Sequence, residues 1–306
     1  MPFKLGGVEF GLSGHGWGKY AYRLSHSYGL LGFTASQHLP AVRVQPRAEL
    51  LAGLGPQAAV DAFSDVVGSV CSVDWSVSRA DLYADFQGLT LSAETRNRFV
   101  TRAKTLTTYE DAGHWTGFQI GRRSGGGLSA RIYEKSGQAR RTGTTWWFDR
   151  WGANYRNGDP VVRVEFEFGR SVLRECSVDS PADLLRETGG LWGYGTEWLS
   201  MRAPTGDATR SRWPVAEEWE QVRLASLRDR PVTIGRVSGA RRAASERRIV
   251  AGLCGYLSSF AALREIGTLD DALGSASGVL HEWELETGIP FTERVAKKRR
   301  RMEWGL

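Results

Sequence analysis

Three cysteines in 306 residues, Cys71, Cys176 and Cys254, are odd in number, far apart and in no metal-ligand spacing, which sets aside a disulfide-stapled scaffold or a cysteine-built metal site. The five histidines, at positions 15, 26, 38, 114 and 281, include no His-x-His pair, so a metal here would rest on carboxylates. No stretch approaches the ~20 apolar residues needed to span a bilayer. The opening "MPFKLGGVEFGLSG" lacks the apolar run of a secretory leader. No internal repeat or low-complexity tract is present. Together these absences predict a soluble cytoplasmic protein with no membrane partner.

What is present is ordinary for a globular chain able to bury a core: 41% apolar and 24% charged residues. Lys plus Arg number 40 against 34 acidic residues, a formal charge of +6. That excess permits a nucleic-acid partner without demanding one. Twelve tryptophans serve cores and base stacking equally well.

Period-two alternation with β-forming residues runs through "AVRVQP" (41–46), "WSVSRADLYADF" (75–86), "HWTGFQIG" (114–121), "LSARIYEK" (128–135) and "VVRVEFEF" (161–168). Between them, "PQAAVDAFSDVVGSV" (56–70) carries an apolar stripe at helical spacing. From about residue 171 helical patterns dominate, beginning at a cap on Asp179 or Ser180 followed by Pro181. "MRAPTGDATRSRWP" (201–214) is rich in turn residues and reads as a loop or linker. The expectation is an α+β fold with a largely antiparallel central sheet. Residues 1–170 would form one α+β domain, and 171–306 a mainly helical region, to which the family resemblance given below assigns DNA binding or dimerisation.

Side chains two apart on a strand share a face. One face of 79–86 carries Arg79, Asp81, Tyr83 and Asp85. One face of 128–135 carries Ser129, Arg131, Tyr133 and Lys135, and one face of 161–168 carries Arg163, Glu165 and Glu167. Each row alone is most simply a solvated sheet face with weak cross-strand ion pairs. Brought to one side of one sheet, the rows would gather carboxylates suited to Mg²⁺ or Mn²⁺. They would also gather arginines suited to phosphate, and a tyrosine beside Arg131 and Lys135. A phenol with a pKa of about 10 needs such neighbours to act as a nucleophile.

"RADLYADF", "GRRSGGGLSARIYEK" and "RVEFEF" resemble, in order and spacing, the motifs of rolling-circle plasmid replication initiators and the related relaxases of conjugative elements. The resemblance is specific between residues 79 and 168 and loose elsewhere. It departs at Ser136, Gly137 and Gln138, where a charged stretch is common in that family, and in the triple glycine 125–127. It implies a metal-dependent nickase that keeps the 5′ end of the cut strand as a phosphotyrosine and frees a 3′ hydroxyl. On that basis Tyr133 is the nucleophile, and Arg131 and Lys135 steady the phosphate. Asp81 and Glu165, then Asp85 and Glu167, hold Mg²⁺ or Mn²⁺. The implied partners are origin DNA, duplex but locally single-stranded at the nick, a second copy of the chain, and host helicase and polymerase. The glycines would let a DNA backbone come close.

Further DNA contacts are expected from Arg122 and Arg123 in the glycine turn. Arg150, among Trp146, Trp147 and Trp151, is another, although those tryptophans fit a sheet cover as well. The basic run Lys297, Lys298, Arg299, Arg300 and Arg301 is a third source of contacts. Tyr83 is the rival nucleophile. Two other functions remain open on the residues: a non-catalytic DNA-binding regulator, and a nuclease that activates water.

Overall fold

In a computed structural model of the protein, residues 1–124, 126–156, 158–225, 235–236 and 246–296 are described. The first 46 residues form an antiparallel meander that the alternation disclosed only at its last strand. Its strands are β1 (Pro2–Leu5), β2 (Val8–Leu12), β3 (Tyr22–His26), β4 (Gly29–Phe33) and β5 (Val42–Pro46), paired in sequence order. Two helices follow, α1 (Ala48–Leu54) and α2 (Pro56–Gly68), the second opened by a proline whose missing N–H has no helical partner to lose. Their apolar sides bury Leu50, Ala59 and Phe63 against Leu5, Phe10, Leu24 and Leu31 of the sheet.

The central sheet is built from β6 (Arg79–Gln87), β8 (Leu106–Asp111), β9 (His114–Ile120), β10 (Leu128–Glu134), β11 (Val161–Gly169) and β13 (Gly235–Arg236), in the order β13-β6-β11-β10-β9-β8. Every pairing is antiparallel except β13 with β6. A short β7 (Phe99–Thr101) pairs separately with β12 (Leu199–Met201). The fold is therefore α+β with antiparallel sheets, as expected.

One face of the central sheet is apolar: Phe118, Ile132, Val164 and Phe166 lie in one core with Leu173, Leu191, Trp192, Trp219 and Val222. Those last five belong to α5 (Arg170–Glu175), α6 (Pro181–Trp198) and α7 (Glu217–Arg223). α6 begins as its sequence dictates, with Ser180 and Asp183 in a reciprocal capping box and Pro181 in the first turn. Trp192 and Trp219 are fully buried, and each satisfies its indole N–H on a backbone carbonyl, Val222 at 2.9 Å and Thr196 at 3.2 Å. These helices complete the sheet's own core, so the chain does not divide at 170. It divides into Met1–Val237 and Ser238–Leu306. The second unit contains the paired helices α8 (Glu246–Leu263) and α9 (Leu269–Thr287).

The loop expected at 201–214 is also tied down. Ala203 N–H donates to Pro214 at 2.9 Å, and the Arg202 and Arg210 side chains donate to the carbonyls of Trp213 and Asn97. It is a loop held in place and not a linker. The three cysteines are unpaired, and among the described residues no helix is long and apolar enough to cross a membrane.

Candidate active site

Strand register brings the three polar rows together. Ser129, Glu167 and Asp81 stand opposite one another across β10, β11 and β6; so do Arg131, Glu165 and Tyr83, and likewise Tyr133, Arg163 and Asp85. Directly paired residues in an antiparallel ladder share a face, so all nine side chains occupy one side of the sheet. On β9 the same face continues through Gln119, opposite Arg131, and Gly117, opposite Tyr133.

The Tyr133 hydroxyl donates to Glu165 Oε2 at 3.2 Å, and the other oxygen of that carboxylate is bound by the Arg131 guanidinium. Burial pushes the Tyr133 phenol above its ordinary pKa, with Glu165 adding to the rise and Arg163 and Arg131 working against both. The phenol is therefore a protonated donor aimed at a carboxylate, inside a cationic frame.

Two short helices cover one end of this face: α3 (Lys135–Thr142), capped by the Glu134 carboxylate, and α4 (Trp146–Trp151). Trp147 and Trp151 are buried under them, and so act as cover for the sheet and not as exposed stacking platforms. Beneath the cover, Arg163 lies 3.8 Å from the Tyr83 ring centroid and 4.2 Å from that of Trp147. It grips Asp85 with two bonds of 2.6 and 2.8 Å, and Asp85 also accepts the Trp151 indole N–H at 3.0 Å. Burial opposes the Arg163 charge, but Asp85 more than offsets it and holds the guanidinium firmly protonated. Asp85, expected as a metal ligand, is thus the counter-ion of a buried arginine, with both oxygens in use. Arg163 itself was visible in the Arg-x-Glu-x-Glu pattern, but nothing in the alternation marked it as the group facing Tyr133.

The opposite end of the face is open. Asp81 and Glu167, opposite each other, share the Arg79 guanidinium, which lies 2.7 Å from Asp81 and 3.0 Å from Glu167. Glu167 also takes Arg123 Nε at 3.5 Å and the Ser124 N–H at 2.5 Å. These hard oxygens fit Mg²⁺ or Mn²⁺ in donor chemistry, and Arg79 already shows that a cation bridges them. Glu165, engaged by Tyr133 and Arg131, is a poorer second ligand for Asp81 than its register partner Glu167. Among the described residues no three His, Cys, Asp or Glu side chains converge in a way that could hold a metal ion.

Lys135 opens α3 instead of ending the strand. Its ammonium is buried, donates to Gln138, and lies 4.9 Å from the Trp147 ring centroid and 6.0 Å from that of Tyr133. Burial, reinforced by Arg163, lowers its pKa to about 8.

Of the expected DNA contacts, Arg122 is exposed and Arg123 joins the Glu167 cluster. Arg150 is not available: its guanidinium donates to the Ala52 carbonyl. Lys297 to Arg301 lie outside the described residues. The glycine turn serves packing. Gly126 carries φ +78°, its carbonyl accepts the Ser171 N–H at 3.1 Å, and a Cβ on Gly169 would meet its backbone at 2.3 Å. The two glycines let turn and strand end touch; Gly125 lies outside the described residues.

No protein-family model matches the chain, and no curated protein matches it. Among solved structures it is similar to one described as the rolling circle replication initiator protein from Geobacillus stearothermophilus. That similarity is at 15% identity with a TM-score of 0.47, over 72% of this chain and 84% of the other.

Proposed function

We propose that this chain cuts and rejoins one strand of DNA through a phosphotyrosine, as an initiator of rolling-circle replication or transfer. The observation that carries this reading is the Tyr133 hydroxyl bonded to Glu165 on a face lined with arginines. On this reading Glu165 Oε2, which accepts the phenol hydrogen bond, takes the proton as the Tyr133 oxygen bonds to phosphorus. The bond from phosphorus to the 3′ oxygen breaks, that oxygen leaves as a hydroxyl on taking a proton, and the 5′ phosphate stays on Tyr133. Arg131, half-exposed beside the phenol, is positioned to bind a phosphate oxygen. Lys135, when protonated, adds positive charge behind the tyrosine ring. Asp81 and Glu167 are the residues that would hold Mg²⁺ or Mn²⁺, which when bound polarises a phosphodiester oxygen.

On this reading the partners are origin DNA, duplex but locally single-stranded at the cut, a host polymerase that uses the freed 3′ hydroxyl, a host helicase and a second copy of the chain. The test is a pool of randomised single-stranded DNA incubated with protein and Mn²⁺, then resolved under denaturing conditions. Wild type should retain DNA covalently and Tyr133→Phe none. Binding without an adduct in wild type would indicate a regulator. Cleavage by Tyr133→Phe at the wild-type rate would indicate a nuclease that activates water.

A further inference from the structure

The first 47 residues contain five lysines and arginines (Lys4, Lys19, Arg23, Arg43 and Arg47) and one carboxylate, Glu9. Five minus one gives +4, most of the +6 carried by the whole chain. These charges are concentrated in the β1–β5 meander, a sheet separate from the one that bears Tyr133.

Register sorts them to one side. Lys4 stands opposite Glu9, Gly11 opposite Ser25, and Gly32 between Arg23 and Arg43. Lys4, Arg23 and Arg43 therefore share the face that looks away from α1 and α2, whose helices cover the side lined by Leu5, Phe10, Leu24 and Leu31. Among the described residues none of the five cations forms an ion pair. Among the described residues the Arg23 side chain donates to Ser13 alone, at 2.9 Å, and its Nε is buried without a partner.

The β2–β3 connection folds back over this face and organises it. Trp17 and Tyr20 exchange backbone hydrogen bonds of 2.8 and 3.1 Å, closing a tight turn with Gly18 at φ +60° and the exposed Lys19 at its tip. The turn can lie this close because position 32 is glycine: a Cβ there would meet the Tyr20 side chain at 3.0 Å and the Trp17 ring at 3.1 Å. Arg43 lies over the Trp17 ring at 4.0 Å, and among the described residues its guanidinium has no hydrogen-bond or ion-pair partner. Arg23 and Arg43, held on one sheet face by Ser13 and Trp17, with Lys4 and Lys19 exposed beside them and Glu9 as the one acid, fit the phosphates of a polyanion.

We propose that the outer face of β1–β5, through Lys4, Lys19, Arg23 and Arg43, is a second DNA-binding surface that grips the phosphate backbone of a duplex. The choice of DNA over another polyanion rests on the strand-cleaving function proposed above; the surface itself rests on charge and register. It assigns duplex binding to the amino-terminal sheet and leaves the cut strand to the Tyr133 face.

The test uses full-length protein carrying Tyr133→Phe, so that no cleavage intervenes, and a fluorescein-labelled duplex of arbitrary sequence, read by anisotropy across a salt series. Adding Lys4→Gln, Lys19→Gln and Arg43→Gln should weaken binding about tenfold or more at low salt and flatten the log–log salt slope by about 2 to 3, near 0.9 per lost phosphate contact. Should the Arg43 change disturb the Trp17 turn, the Lys4→Gln, Lys19→Gln pair should still flatten the slope by about 1 to 2. An unchanged affinity and slope in both variants would overturn the proposal. So would selective loss of binding to phosphatidylserine vesicles with duplex binding intact, which would make the surface a membrane contact. In an otherwise wild-type background the three Gln changes should leave adduct formation on short single-stranded DNA intact. Failure of wild type to form that adduct would remove the cleavage reading without touching the salt slopes.

Discussion

Arg163 stands directly across the ladder from Tyr133, and it is a cation that cannot move away: Asp85 binds it twice and the rings of Tyr83 and Trp147 enclose it. Such a pair influences the Tyr133 phenol as a fixed field. Arg163 lowers the Tyr133 pKa and Asp85 raises it. Arg163→Gln should therefore raise the phenol's pKa and Asp85→Asn should lower it, each read by tyrosinate absorbance against its own Tyr133→Phe background. A purely structural pair would not give shifts of opposite sign.

The same pair sets a stability prediction. Asp85→Asn leaves a buried guanidinium without its counter-charge, which costs on the order of 3–5 kcal/mol. Urea unfolding should show that loss. The double variant Asp85→Asn, Arg163→Met should lose less than the sum of the two single changes, because it no longer strands a charge.

Much of this site was legible before the structure, and the reason is the period of a strand. Alternation assigns Asp81, Tyr133 and Glu165 each to one face of its strand, and the motif order places the strands in one sheet. Register is what alternation cannot give. A shift of two residues would keep every face and yet separate Tyr133 from Arg163 and Glu167 from Asp81. The roles of Asp85 and Lys135 were missed for a related reason: one is committed by a partner 78 residues away, and the other starts a helix whose cap is Glu134. The amino-terminal strands escaped notice because β1–β4 are short and β2–β4 are interrupted by glycine or serine. The division at 237 escaped because helical patterning does not say which core a helix completes.

Lys135 supplies a pH dependence with a definite sign. Its pKa falls from 10.5 to about 8 because burial, with Arg163 behind it, penalises the ammonium. Between those values the unfolded chain holds a proton that the folded one has released, so this group adds stability as pH rises through that window. Lys135→Met should remove the upward slope in chemical denaturation. In the adduct assay the wild-type rate should fall as pH passes about 8, and Lys135→Arg should keep its rate.

Gly169→Ala tests the packing of the glycine turn. A methyl at 169 would collide with the Gly126 backbone, and Ser124, four residues before Leu128, donates its N–H to Glu167. A cost of about 1–3 kcal/mol is expected in thermal unfolding. Adduct formation should fall with it, as the turn carries Arg123 and Ser124 away from Glu167.

Metal removal separates the carboxylates. EDTA should abolish adduct formation, and Mg²⁺ or Mn²⁺ should restore it. Asp81→Asn and Glu167→Gln should each raise the Mn²⁺ concentration needed for half-maximal adduct by about tenfold or more, the loss of one charged oxygen ligand. Asp85→Asn should leave that concentration unchanged, since its oxygens face Arg163 and Trp151.

The most direct test is the identity of the residue that carries the DNA. Wild-type adduct digested with nuclease and protease should give one phosphotyrosyl peptide, and tandem mass spectrometry should place the phosphate on Tyr133. Attachment to Tyr83, which lies under Arg163 and meets Trp147 edge to face, or to any other residue, would contradict the account.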